Sequence, residues 1–334
     1  MRILSGVQSS GQLHLGNYYG ALRQFVAMQN EGEALYFIAN LHALNSVRDP
    51  VQAKKLTFDT AVAFLALGLD PSRAVLFRQS DIPEVPELYW ILGTVVPVSN
   101  LERAHSYKDK IDKGQSPDFG LFAYPVLMAV DIMLYDSDVV PVGKDQVQHL
   151  EFARDWATKF NVTYVPKYDP ADPEGKKGPK GLLKPPRALV QEETALIPGV
   201  DGQKMSKTYG NTIELFAEIK ATEKKMMGIK TDSTAVESPK PVEGSALYQL
   251  LKVMAPASEW AALDASWRQG GQGYGYYKKK LVECFHVTFD GPRKRYEELQ
   301  ADPAEVERIL KAGAAKAREY AAPVLARVRT AVGL

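Results

Sequence analysis

The chain is poor in the residues that build covalent or metal frameworks. A single cysteine, Cys284, stands in 334 residues, which excludes an internal disulfide network and a cysteine-rich metal site. Histidine is scarce, at five, and His149 and His286 show no metal-ligand spacing, so no protein-bound metal is expected. No apolar run reaches the roughly 20 residues a membrane helix needs, and no charged-then-apolar leader opens the chain. The expectation is a soluble cytoplasmic protein with no membrane partner. An excess of one charge is missing too. Lysine plus arginine number 41 against 40 acidic residues, a net charge of +1, which argues against a histone-like partner for DNA and leaves room for local basic patches.

What is present is a large apolar complement, 45% of residues, enough for a sizeable core and two domains. Ile3 to Val7, Ala34 to Ala39 and Ala74 to Phe77 read as buried strands, and Pro50 to Leu69 has helical spacing with Pro50 at its start and Gly68 near its end. Strands alternating with amphipathic helices predict an α/β fold around a parallel sheet. In such a sheet ligands bind at the carboxyl ends of strands near a switch in strand order, where Gly6 to Gly11, His42 and Gly143 to Gln146 would converge. From about Glu214 only helical patterns follow, over Phe216–Met227, Ser245–Met254, Ala257–Arg268, Tyr277–Phe285 and Pro303–Arg329. The boundaries expected are residues 1–213 for the sheet domain and 214–334 for an all-helical one, its last helix packing back on the first. Residues 166–187, rich in lysine, glycine and proline, read as a surface insertion.

Two short stretches carry the chemistry. Ser10-Gly11-Gln12-Leu13-His14-Leu15-Gly16-Asn17 lies between the first strand and a helix start, where free N–H groups and the positive end of the helix dipole suit a phosphate. Gly16 leaves room for a nucleotide, and His14 is placed to touch the phosphate. Far along the chain, Lys204-Met205-Ser206-Lys207-Thr208 sits among Gly199, Gly202 and Gly210 and reads as a mobile loop with two cations. Such a loop can neutralise charge that develops as pyrophosphate leaves. Alone, the first stretch is most often a helix cap and the second a solvated surface; together they read as one ATP site.

Asp131 is a carboxylate whose neighbours at helical spacing are Leu127, Met128, Leu134 and Tyr135. Burying it is costly unless it is paired or hydrogen-bonded. Two readings stay open: an ion pair inside the core, or an acceptor for a ligand N–H.

The two stretches resemble the HIGH and KMSKS motifs of class I aminoacyl-tRNA synthetases. Gly6 to Gly11 with His14 to Tyr18, the segment Tyr124 to Tyr135 and the segment Val139 to His149 are similar to the bacterial tryptophanyl-tRNA synthetase family, and the likeness runs from about Arg2 to beyond Lys280. Thr208 replaces the usual last serine of the second motif, and Asn17 the last histidine of the first. The resemblance implies a Rossmann-like doubly wound parallel sheet with a second, helical domain. It also implies a reaction in which L-tryptophan and ATP, the latter carrying Mg²⁺, form tryptophanyl-adenylate for transfer to tRNA(Trp) by a homodimer.

It further implies roles for particular residues. Gln8, with His14, Lys204 and Lys207 in the catalytic set, would lie near the α-phosphate and the amino-acid carboxylate. Ser9, Ser10, Gly16 and Asn17 would shape the ATP turn, Lys110 would reach the triphosphate, and Gly143, Lys144 and Asp145 would approach the ribose. Leu196 or Ile197 would pack on adenine, while Met205, Ser206 and Thr208 complete the loop. Asp131 would accept the indole N–H, Tyr124 and Gln146 would meet the α-amino group, and His42 would contact the indole. Met128, Val140 and Val142, with Leu4 and Gly6, would form apolar walls. On sequence alone His42 is more often a satisfied strand-end histidine, the walls are as readily ordinary core, and the segment Arg103–Lys113 that carries Lys108 and Lys110 reads as a solvated helix face. Tyr274, Tyr276 and Lys278 to Lys280 are the candidate RNA contacts. A tyrosine-specific relative, a smaller nucleotidyltransferase and a synthetase-like paralogue with a protein-binding role are the alternatives.

Overall fold

Five apolar runs become five parallel strands: β1 (Arg2–Val7), β2 (Glu33–Ile38), β3 (Ala74–Arg78), β4 (Val139–Val142) and β5 (Arg187–Val190). This computed structural model describes the chain apart from Gln115, Lys144, Asp145 and residues 191–196, and apart from the side chains of Ser106 and Val190. The strands lie in the order β3-β2-β1-β4-β5, so the chain works outward from β1 to one edge and then returns to the other side. The reversal puts a topological switch point between β1 and β4, the position at which open α/β sheets bind ligands.

The inner strands read as largely apolar runs because both faces of the sheet are covered there, while edge strand β5 is exposed from Arg187 to Leu189. In β2, Ala34, Tyr36 and Ile38 join an apolar cluster with helix Pro50–Ala66, while Leu35 and Phe37 join another with helices Phe119–Met133 and Val147–Tyr164. Capping fixes where two of these helices start. Asp49 accepts the Gln52 N–H at 2.6 Å with Pro50 in the first turn, and Asp118 accepts the Leu121 N–H at 2.9 Å. The strand expected at 74–77 extends to Arg78. β4 falls within the segment expected to be a ligand loop, and β5 starts at the last residue of the expected insertion; both are only four residues long and carry too little periodicity to announce themselves.

Beyond β5 the named elements among the described residues are helical, the longest being Ile219–Met227, Ala246–Met254, Ala257–Gln269, Tyr274–Ala301 and Pro303–Val332. Helix Tyr274–Ala301 outruns the expected Tyr277–Phe285 because it continues through Asp290-Gly291-Pro292, which reads locally as a break. The terminal helix lies against β3 so closely that a β-carbon at Gly313 would stand 1.9 Å from the Leu76 carbonyl oxygen. Ion pairs fasten it: Arg78 to Glu307 at 2.8 Å, Arg318 to Glu84 at 2.8 Å and Arg329 to Glu87 at 2.7 Å. Among the described residues no helix is long and apolar enough to cross a membrane.

Candidate active site

The turn after β1 and the lysine loop meet. Gly16 donates its N–H to Met205 Sδ at 3.3 Å, and Met205 is buried. Short antiparallel contacts flank the junction, with Leu15 N–H to Ile213 O at 2.9 Å and Leu215 N–H to Leu13 O at 3.0 Å. The loop itself is a narrow hairpin, closed by Met205 N–H to Ile197 O at 2.9 Å and Gly199 N–H to Gln203 O at 2.7 Å. Asn211, buried, is its hub. Its amide oxygen accepts from Ser206 N–H at 2.8 Å, and its amide nitrogen donates to Asp201 Oδ1 at 2.8 Å and to the Lys204 carbonyl at 3.1 Å.

Lys207 lies over Gly11, where a β-carbon would stand 2.9 Å from Cδ and 3.0 Å from Nζ. The ammonium's partial burial there holds its pKa below the usual lysine range. His14 is buried alongside. Burial, helped by the Lys207 charge and opposed by Glu214, pushes its pKa down to about 4, so the imidazole is neutral at physiological pH. Its Nδ1 has no hydrogen-bond partner among the described residues. A buried imidazole nitrogen in that condition, beside an ammonium and the start of a helix, is suited to a ligand oxygen.

The second half of the site surrounds Asp131, which is 1% exposed. His42 Nε2 lies 2.9 Å from Oδ2, and the Gln79 amide nitrogen donates to both carboxylate oxygens at 2.8 Å. Burial raises the Asp131 pKa above the usual carboxylate value, against the opposing effects of His42 and Gln79. Gln79 is fully buried just past the end of β3 and accepts the Leu41 N–H at 3.0 Å. The two halves touch through Gln8, whose amide donates to the His42 carbonyl at 3.1 Å.

Other expected residues fall as follows. Leu4, Val140 and Val142 are buried and Met128 half-buried in the apolar cluster beside Asp131. At Gly6 the space a side chain would take is filled by the Phe37 ring, 2.4 Å from a notional β-carbon. The Tyr124 hydroxyl is 2.7 Å from His149 Nε2, which gives His149 a contact at the site that its spacing in the sequence did not suggest. Gln146 N–H closes a turn onto the Gly143 carbonyl at 3.0 Å. The Ser9 hydroxyl is buried 3.2 Å from Thr57 Oγ1, facing the core, and Asn17 Oδ1 accepts the His14 N–H at 3.1 Å, capping the helix. Ser10 is half-buried in the turn. The Ser206 hydroxyl accepts from Thr208 N–H at 3.3 Å; Lys204 and Thr208 are exposed. Ile197 is buried with Met205 in the core. Lys110 is half-exposed on helix His105–Asp112, and its charge adds to the Leu121 N–H and Arg48 in holding Asp118 below the usual carboxylate range. Lys144, Asp145 and Leu196 lie outside the described residues.

The sequence reading missed Gln79 and Asn211. Gln79 was open to discovery, because it follows a strand carried to its carboxyl end, as Gln8 does. Asn211 gave no signal, since its partners are mostly backbone groups set by the fold.

A strand-end nucleotide turn joined to a two-lysine loop is the arrangement expected of the resemblance. A family model described as tRNA synthetases class I (W and Y) matches residues 1–259. The chain belongs to that family. This class I synthetase is 47% identical to a tryptophan–tRNA ligase of Rhodopirellula baltica over 334 residues, all of both chains. Its fold superposes on tryptophanyl-tRNA synthetase from Campylobacter jejuni complexed with ADP and tryptophan, with a TM-score of 0.89 and 44% identity over the whole of both chains. The corresponding synthetase from Mycoplasma pneumoniae gives a TM-score of 0.81 at 28% identity, covering all of this chain and 98% of that one.

Proposed function

We propose that this synthetase activates L-tryptophan with ATP and transfers it to tRNA(Trp). The observation that carries the reading is the contact chain from Asp131 through His42 to Gln8, which links a buried acceptor in an apolar pocket to the turn that Lys207 covers. Tryptophan's indole N–H would meet Asp131, leaving its carboxylate beside Gln8 and the ATP α-phosphate. A carboxylate oxygen attacks that phosphorus, the bond to the bridging oxygen breaks, and pyrophosphate leaves with the electron pair. The tRNA's terminal 2′-hydroxyl then attacks the acyl carbon, and AMP departs. The amino acid brings its own nucleophile, so positioning and electrostatics supply the rate.

Within this scheme a neutral His14 donates to phosphate, and Lys207 with Lys204 stabilises charge moving toward pyrophosphate. Magnesium enters as part of the MgATP substrate. Among the described residues no group of three His, Cys, Asp or Glu side chains could hold it. We assign residues 1–213 to the chemistry and the helices of 214–334 to recognition of the tRNA, with Tyr276 and Lys278 to Lys280 as contacts by stacking and charge. The working form is a homodimer, a reading supported by Trp90 and Val98, which stand 74% and 61% exposed on and beyond helix Glu84–Gly93. Two assays test the proposal: amino-acid-dependent exchange of pyrophosphate into ATP with all twenty amino acids, and charging of total tRNA. Tryptophan alone should support both.

A further inference from the structure

The carboxylate at the base of the amino-acid pocket is not held by its own helix. Gln79 comes from another element, the turn Gln79–Asp81 after the edge strand β3, and contacts Asp131 directly. The orientation of its amide is fixed chemically. Leu41 N–H belongs to the first turn of helix Asn40–Ala43, where donors have no intrahelical partner, and it lies 3.0 Å from Oε1. Only the amide oxygen can accept it, so the NH₂ group must face Asp131. From there the nitrogen spans both carboxylate oxygens at 2.8 Å, while His42 Nε2 approaches Oδ2 alone. A carboxylate has about four acceptor positions. The three contacts from Gln79 and His42 leave space for about one more, and an N–H from a ligand is the chemistry that fits it.

Resting on the tryptophan reading, we propose that Gln79 is a positioning residue that sets amino-acid selectivity, by holding the Asp131 carboxylate in the one orientation that accepts the indole N–H. Without Gln79 the carboxylate is free to turn toward His42, and its negative form loses the one donor that spans both of its oxygens. Hydrogen bonds to the ionised form oppose the burial that favours the neutral acid. The other titratable groups around it are His42 on helix Asn40–Ala43 and Tyr135, one turn further along its own chain; Glu84 acts on Tyr135 and is itself paired with Arg318. None of them offers a replacement donor in the position Gln79 holds. A protonated Asp131 would present a hydroxyl where an acceptor is needed, and the preference for tryptophan over phenylalanine would fall.

The test is pyrophosphate exchange by the full-length protein and by Gln79→Met, with tryptophan and phenylalanine, across pH 5 to 8. Loss of a donor to a charged group predicts a fall of about 10- to 100-fold in kcat/KM for tryptophan, and a smaller fall for phenylalanine. The KM for ATP at saturating tryptophan should not change, and the acid limb of the tryptophan profile should move to higher pH. Should Gln79→Met fail to fold by circular dichroism, Gln79→Asn decides, because its amide, one methylene shorter, cannot both accept from Leu41 N–H and reach Asp131. It should show the same loss of discrimination. Unchanged selectivity and an unmoved acid limb in whichever variant folds would overturn the proposal and leave Gln79 as packing. Absence of tryptophan-dependent exchange in the unmutated protein would instead overturn the tryptophan reading itself.

Discussion

Gly16 and Met205 are joined by an N–H to sulfur contact of 3.3 Å across 189 residues of chain. The contact seats the lysine loop on the turn after β1, and the Lys207 side chain lies over Gly11. A cation held in place costs little reorganisation when charge develops.

Lys207→Ala should therefore slow adenylate formation far more than it weakens ATP binding. Loss of one preorganised charged donor lowers the rate by on the order of 10²–10³. Single-turnover kinetics separates the two effects. A variant with an intact saturated rate and only a raised ATP dissociation constant would show that the lysine binds ATP uniformly.

Asn211→Ala removes the acceptor for Ser206 N–H and the link to Asp201 while leaving both lysines in the sequence. Adenylate formation should fall at least about 10-fold, the worth of one typical hydrogen bond of the three lost, and proteolytic cleavage within 201–210 should speed up. An unchanged rate would mean that Met205 alone seats the loop.

His14 predicts a pH dependence of stability. Its pKa is about 4 in the fold against 6.5 for an unperturbed histidine, so between those values the unfolded chain binds more protons. The sign follows: this stability is fully present above pH 6.5 and is lost as pH falls toward 4. Urea unfolding at pH 7 and pH 5 should show the unmutated protein losing on the order of 2 kcal/mol more than His14→Ala over that interval. Equal losses would place His14 in a more solvated setting.

The sheet domain was largely legible in the sequence because its first three strands are apolar on both faces and its helices carry caps. The placement of His14, Lys207 and Asp131 followed from motif and burial arguments. The less legible features depend on long-range contacts. Phe37 packs on Gly6, Ser9 faces Thr57, and Asn211 binds backbone groups. The continuation of helix Tyr274–Ala301 through Gly291 and Pro292 overrides a local break signal. The boundary expected at 213 cuts between Ile213 and Leu215, both of which pair with the His14 turn.

Gly313→Val tests the closeness of the terminal helix to β3. The added carbons meet the Leu76 carbonyl, so the helix must lift, at a cost of roughly 1–3 kcal/mol of overpacking. Urea denaturation measures it, and an unshifted midpoint would mean that the helix moves away without loss.

The most direct test of the account is the tryptophan dependence of pyrophosphate exchange in Asp131→Asn. A neutral amide in place of the carboxylate should cost about 1.5–3 kcal/mol in kcat/KM for tryptophan, narrow the preference over phenylalanine and leave the ATP dependence alone. Tryptophan kinetics identical to those of the unmutated protein would contradict it, because Asp131 would then lie outside the site that selects the amino acid.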